Sequence, residues 1–282
     1  MSAPLILSHF QTAPLLELRG SAGWSVKVSP DLGLTTVEAA VEEQGVRFPG
    51  GVLLGWEALQ EISSSPNNCF VFQDGELRKV IVFSVQTDRV YSLMPTEAAP
   101  TLLVSGFPMH RIKGTTPDRD TLEKVKAIRP IEGRVLDTAT GLGYTAIQAA
   151  RSATEVVTIE LDGAVLEVAR ANPWSRDLFE NPRIRQCIGD SGEVIAEFQA
   201  ESFACILHDP PVMALAGELY GLGFYQELYR VLKRAGRLFH YIGDPDSHSG
   251  AKVTRGVMER LRRAGFGRVE RRPAAFGVVA FK

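Results

Sequence analysis

V-L-D-T-A-T-G-L-G-Y-T-A, Val135 to Ala146, reads as a strand, a glycine-bearing turn and the start of a helix, in that order. Val135 and Leu136 are apolar strand residues, and Asp137 closes the strand with a carboxylate. Gly141 and Gly143 let the backbone approach a ligand more closely than a side chain would permit, and a helix beginning near Tyr144 points its amide end at that ligand. Such a turn holds a nucleotide-like cofactor or is simply a tight turn. A dinucleotide loop of the G-x-G-x-x-G kind is disfavoured, because its first glycine falls on Ala139 and nothing downstream completes the spacing.

The following strands repeat the pattern of an acid at the strand end. Glu155 to Ile159 is a β-branched run ending in Glu160, 23 positions after Asp137. A doubly wound sheet places the carboxylate that accepts both ribose hydroxyls at that distance. Ile184 to Gly189 reads as a third strand ending at Asp190, either a cofactor ligand or the cap of the next helix. Phe203 to Leu207 is a fourth, followed by His208-Asp209-Pro210-Pro211. Beyond it, Glu218–Leu232 reads as an amphipathic helix, Gly236–Ile242 as a strand and Val253–Ala264 as a helix. Val269–Arg272 and Gly277–Phe281 are the last two strands.

Asp137, Ala139, Gly141 and Gly143 resemble the first motif of class I S-adenosylmethionine-dependent methyltransferases, an acid, a small residue and G-x-G. The resemblance runs from Arg134 to the C-terminus and implies a Rossmann-like α/β sheet of seven strands, the last antiparallel. It places S-adenosylmethionine against Asp137, Ala139, Gly141, Gly143 and Tyr144, with Glu160 on the ribose and Asp190 near the adenine. Asp209-Pro210-Pro211 is similar to the [N/D/S]-P-P-[aromatic] motif of enzymes that methylate amino nitrogens of nucleobases or glutamine. There the first side chain and the first proline carbonyl accept the amine hydrogens and aim the lone pair, and the prolines hold these acceptors rigidly. These three residues are the catalytic candidates. Position four is Val212 where the family has an aromatic, so Tyr144, Tyr220 or Phe224 would have to supply a stacking face, unless they are core.

T-G-L-G-Y-T-A, A-N-P-W-S, H-D-P-P and A-G-E-L-Y together resemble predicted methyltransferases known mainly from archaea, which carry an additional N-terminal domain. That resemblance implies methylation of an RNA base at an amino nitrogen in the cytoplasm. Aminopropyltransferases of the spermidine synthase type are the alternative, matched at Asp209-Pro210, Leu219 and Phe224-Tyr225. Their first acid, however, falls on Ile206. A protein or small-molecule amine is a further alternative acceptor, and a non-catalytic cofactor-binding module fits least, because Glu160 and Asp209 are both present.

His208 is either a proton shuttle or a hydrogen-bonded packing residue. Met109-His110-Arg111 is either a lid meeting a substrate carboxylate or phosphate, or a solvated linker. Residues 1–115 read as a β-rich α+β domain, a candidate substrate platform, and 116–282 as the cofactor-binding domain. Within the first, Ser25–Val28, Cys69–Phe72 and Val80–Val85 read as strands, Gln73-Asp74-Gly75 as a hairpin turn, and Thr36–Glu43 as a helix. A helix from Asp118 or Arg119 to Ile128 leads into the second.

A net charge of −2 argues against non-specific coating of nucleic acid, although Lys252, Arg255, Arg260, Arg262, Arg263, Arg268, Arg271 and Arg272 make a basic stretch facing only Glu259 and Glu270. That stretch is an RNA contact or a solvated helix face. Three cysteines without C-x-x-C spacing predict neither structural zinc nor disulfides and suit a reducing cytoplasm. There is no basic leader with a long apolar stretch and no apolar run of about 18 residues, so neither export nor membrane spanning is expected.

Overall fold

The computed structural model describes residues 3–213, 215–244 and 250–282. The chain divides into two compact units, 1–118 with 167–176, and 119–166 with 177–282. The sequence places one boundary, at 115/116, and so puts 167–176 in the second domain. That segment instead belongs with the first unit, where the Trp174 indole donates to the Leu32 carbonyl at 3.1 Å.

The first unit contains β1 (Leu5–Leu7), α1 (His9–Leu16), β2 (Ser25–Val28), β3 (Val37–Glu42), β4 (Gly45–Arg47), β5 (Leu53–Gly55) and α2 (Trp56–Ser63). β6 (Phe70–Gln73), β7 (Glu76–Lys79), β8 (Ile81–Ser84), β9 (Arg89–Met94), β10 (Thr101–Val104) and β11 (Phe107–Pro108) follow. They form small antiparallel sheets ordered β1-β6-β7, β2-β3-β4-β5 and β11-β10-β9-β8. Leu7, Val46, Leu54, Leu59 and Ile62 are fully buried in a shared core. Asp74 and Gly75 both have positive φ, as the predicted hairpin between β6 and β7 requires.

The expected helix over Thr36–Glu43 is strand β3. Ala39 and Val41 are buried while Glu38 and Ala40 are exposed, a period of two. Pairing on both sides with β2 and β4 overrides the helical preference of alanine and glutamate.

α3 (Pro117–Lys126) leads into the second unit, followed by β12 (Arg134–Asp137), α4 (Tyr144–Ala150), β13 (Glu155–Glu160), α5 (Gly163–Arg170), α6 (Arg176–Glu180) and β14 (Ile184–Ile188). Then come α7 (Ser191–Val194), β15 (Phe203–His208), α8 (Leu222–Val231), β16 (Leu232–Tyr241), α9 (Gly250–Arg263), β17 (Arg268–Arg272) and β18 (Gly277–Phe281). The seven strands are ordered β14-β13-β12-β15-β16-β18-β17, with β18 antiparallel to both its neighbours. The chain moves outward from β12 to β14 and then crosses back to β15. The order therefore reverses between β12 and β15, and open α/β sheets bind ligands at the carboxyl ends of strands at such a point.

The predicted Glu218–Leu232 helix is divided at Gly221, with a 3-10 turn before it and α8 after. A Cβ at Gly221 would lie 2.9 Å from the Glu218 carbonyl oxygen, so the turn closes too tightly for another residue. No helix among the described residues is long and apolar enough to cross a membrane.

Candidate active site

The loop Thr138–Gly143 is pinned at the switch point from both sides. The Thr138 amide donates to the Leu207 carbonyl at 3.0 Å and the Thr140 amide to the Ile159 carbonyl at 2.9 Å. The Ser191 hydroxyl donates to the Thr138 carbonyl at 2.6 Å. Within this loop the two glycines serve different ends. At Gly143 φ is +76° and a Cβ would lie 2.7 Å from Leu178 Cδ2, so close packing requires glycine there. At Gly141 φ is +52° and a Cβ would meet nothing within 4 Å. Only the second leaves open space for a ligand. Ala139, between the two pinned threonines, is half-buried.

Glu160 ties that cradle to β13. Its Oε2 accepts from the Gly141 amide at 2.9 Å and its Oε1 from the Asp162 amide at 3.3 Å. The Leu161 backbone also acts on it, so three backbone groups of the loop and strand end favour its charged form. Burial pushes the Glu160 carboxyl up to about 7, against the backbone donors that favour its charge.

Asp137 lies beneath the loop and is fully buried. Its Oδ2 accepts from the hydroxyls of Thr158 at 2.9 Å and Thr145 at 3.1 Å, joining β12, β13 and α4. Its Oδ1 is buried with no partner among the described residues. Burial pushes this carboxyl up to about 8, and Asp209 and Glu160 add to the effect. The folded chain thus keeps a proton that the unfolded chain has released. Stability from this group is full below its ordinary value of 3.8 and is lost as pH rises through about 8. Asp137→Asn should therefore gain stability over the wild type between those limits, by at most about 1.4 kcal/mol per pH unit. Urea denaturation at about pH 5, 7 and 9 checks this, and a difference independent of pH would refute it.

Asp190 is half-buried just beyond β14, and its Oδ1 accepts from the Gly192 amide at 2.6 Å. It thereby caps the short helix α7. Leu161 and Ile188, which adjoin Glu160 in chain and in register, are exposed apolar residues at 42% and 58%. With the Gly141 cradle they make an apolar, open surface beside the Glu160 carboxylate.

Beside this crevice, Asp209 follows β15, and its Oδ2 accepts from Lys124 Nζ at 2.6 Å. Lys124, on α3, is itself buried and also pairs with Asp120 at 2.8 Å. Its ammonium lies 4.4 Å from the Tyr241 ring centroid. Burial disfavours the ammonium, yet the two carboxylates outweigh it and raise its pKa. Burial likewise raises the Asp209 carboxyl, while Lys124 holds it down against that effect. The sequence reading treated α3 only as a leading helix and missed both Asp120 and Lys124. The signal was present: Lys124 falls within the stripe Thr121, Val125, Ile128 that the helix buries, four residues after Asp120.

Several substrate candidates serve as scaffold. His208 is fully buried between the Thr138 hydroxyl at 2.6 Å and the Leu219 carbonyl at 3.0 Å. Since a carbonyl can only accept, Nε2 carries the proton and Nδ1 accepts from Thr138. Burial depresses its pKa to about 3, so it is a neutral packing residue and not a proton shuttle. Tyr220 is buried and donates from its hydroxyl to the Pro211 carbonyl at 3.1 Å, steadying the proline pair instead of stacking on a substrate. Phe224 packs on His208, with centroids 5.2 Å apart. Tyr144, the first residue of α4, is 7% exposed. The expected stacking face is therefore core: Tyr220 and Phe224 belong to the main core of the second unit and Tyr144 is buried. The Pro210 side of the motif is buried, whereas Val212 after it is 54% exposed. Ile206, where an aminopropyltransferase would have its first acid, is buried in mid-strand.

In the first unit, the His110 Nδ1 lies 2.9 Å from the Thr101 hydroxyl, and the half-buried Arg111 follows in the loop. Of the basic stretch, Arg260 donates to the Tyr220 carbonyl at 2.9 Å, and Arg268 and Arg272 pair with Glu270. Lys252, Arg255, Arg262 and Arg263 are exposed on α9, and Arg271 on β17. Among the described residues no group of three or more His, Cys, Asp or Glu side chains could hold a metal ion.

The chain is 39% identical over 284 residues to the uncharacterized protein MJ1233 of Methanocaldococcus jannaschii, covering 99% of this chain and 96% of that protein. The chain belongs to the family of MJ1233. No family model matches it. A shorter similarity, 41% identity over 78 residues, links 28% of the chain to 17% of the Pseudomonas entomophila 23S rRNA (uracil(1939)-C(5))-methyltransferase RlmD. A crystal structure of spermidine synthase with the transition state analogue AdoDATO aligns with a TM-score of 0.58 at 21% identity, over 73% of this chain and 75% of that one. The MJ1233 family thus has the Rossmann-like fold that S-adenosylmethionine-dependent methyltransferases share with spermidine synthase.

Proposed function

We propose that this chain is an S-adenosylmethionine-dependent methyltransferase acting on an amine nitrogen, with an exocyclic amino group of an RNA base as acceptor. The observation that carries the reading is the pair of carboxylates flanking the strand-order reversal. Glu160 is tied to the open Gly141 cradle on one side, and Asp209 precedes two prolines on the other. In this reading the backbone of Ala139 and Gly141 meets the methionine end, Glu160 accepts the ribose hydroxyls, and Asp190 lies at the adenine. When bound, S-adenosylmethionine supplies an electrophilic methyl group on a sulfonium.

An amine conjugated to a ring is a weak nucleophile, so Asp209 and the Pro210 carbonyl would accept its hydrogens and turn the lone pair toward the methyl group. Aminopropyl transfer is disfavoured, because Ile206 offers no carboxylate to deprotonate a cationic amine. For an RNA acceptor, the exposed Val212 and Met213 would give the base an apolar contact, and the exposed α9 cations would meet phosphates. The local similarity to an rRNA methyltransferase supports RNA as the acceptor molecule, although that enzyme is named for transfer to a uracil carbon and not to an amine.

Calorimetry with S-adenosylhomocysteine tests the cofactor assignment. Glu160→Ala should lose about 2–4 kcal/mol of binding through two charge-assisted hydrogen bonds, and unchanged affinity would refute it. In a parallel measurement, neutralising Lys252, Arg255, Arg262 and Arg263 should weaken the binding of transcribed rRNA fragments and flatten its salt dependence. An unchanged salt slope would leave α9 as a solvated face.

A further inference from the structure

We propose that Lys124 is a positioning residue: it holds Oδ2 of Asp209 and so leaves Oδ1 as the oxygen that meets the acceptor amine. The proposal rests on Asp209 being the amine-orienting group of the reading above. Three observations support it. Lys124 Nζ is 2.6 Å from Oδ2, and among the described residues no other group bonds this carboxylate. Asp209 keeps 16% of its side chain exposed while Lys124 keeps 1%, so the carboxylate is the member of the pair that reaches the surface. The ammonium is itself fixed, by Asp120 at 2.8 Å and by the Tyr241 ring face at 4.4 Å.

A carboxylate alone at a strand end can rotate and offer either oxygen. Here the ammonium removes that freedom, and the preorganised acceptor needs no rearrangement when an amine arrives. The titratable groups around Asp209 come from several elements: Lys124 and Asp120 from α3, Asp137 from β12, and Tyr220 from the turn before α8, while Tyr241 of β16 faces Lys124. Only Lys124 among these bears positive charge. Burial and Asp120 both disfavour the carboxylate.

The test uses the whole chain carrying [13Cγ]aspartate, with the Asp209 resonance assigned from Asp209→Asn. Its titration is followed in the wild type, Lys124→Met and Asp120→Asn, and S-adenosylhomocysteine affinity is measured in each. Lys124→Met should raise the Asp209 midpoint by at least about one pH unit, and Asp120→Asn, which removes a like charge, should lower it. Cofactor-product affinity should change by less than about twofold in both, since neither residue touches the cradle. Midpoints unmoved in both variants would overturn the proposal. If Lys124→Met does not fold, Lys124→Gln takes its place, and an Asp209 midpoint unmoved in it overturns the proposal. Loss of S-adenosylhomocysteine binding in the wild type would instead overturn the proposed function, and the titrations would still report on the pair.

Discussion

Asp209→Ala is expected to lower methyl transfer by at least about 100-fold, because it removes the acceptor that orients the amine in the transition state. The sequence suggests that this variant folds as well as the wild type, since a strand-end carboxylate at an open cleft adds little to a core. The structure changes that expectation. Asp209 is one of two carboxylates around a buried ammonium, so its removal leaves Lys124 with Asp120 alone. A loss of up to about 3 kcal/mol of stability follows, below that of an uncompensated buried charge because Asp120 stays. Asp209→Asn separates the possible roles. Its carbonyl still accepts an amine hydrogen, so an orienting role leaves partial activity, whereas a general base would lose nearly all. Single-turnover transfer to the acceptor that the wild type labels with radioactive methyl, with urea denaturation of each variant, measures both effects. Wild-type rates in Asp209→Ala would mean that the DPP string is only a strand exit.

Replacing the two loop glycines by alanine should produce opposite patterns. Gly143→Ala forces a left-handed residue and places a methyl group against Leu178, with no room to move away. It should lose about 2–3 kcal/mol of stability, while the folded protein still binds S-adenosylhomocysteine. Gly141→Ala meets no protein atom and should cost about 1 kcal/mol for its backbone conformation. Its methyl group fills the cradle, however, so affinity should fall at least about tenfold. Thermal unfolding and calorimetry on the pair distinguish these outcomes. If Gly141→Ala bound as tightly as the wild type, the ligand would not lie over this loop.

The sheet of the second unit was legible because its central parallel strands β12, β13 and β15 are apolar runs ending in a turn, and such runs have few ways to be buried. The strand-end acids were legible for a related reason: where β12, β13 and β15 end, the chain passes from core to cleft. Less legible were segments whose local preference disagreed with their partners. Val37–Glu42 is rich in alanine and glutamate, yet it is a strand because β2 and β4 pair with it.

What each acid and ring does was decided only in three dimensions. The sequence by itself determined that acids stand at the ends of successive strands, since residue type and strand periodicity are local properties. It did not determine that Asp137 is sealed beneath the loop, that His208, Tyr220 and Phe224 are core, or that Asp209 has a partner 85 residues away. Burial and long-range pairing depend on which elements the topology brings together. The Lys124–Asp209 contact exists because α3 packs beside the carboxyl end of β15, and no spacing within either segment encodes it.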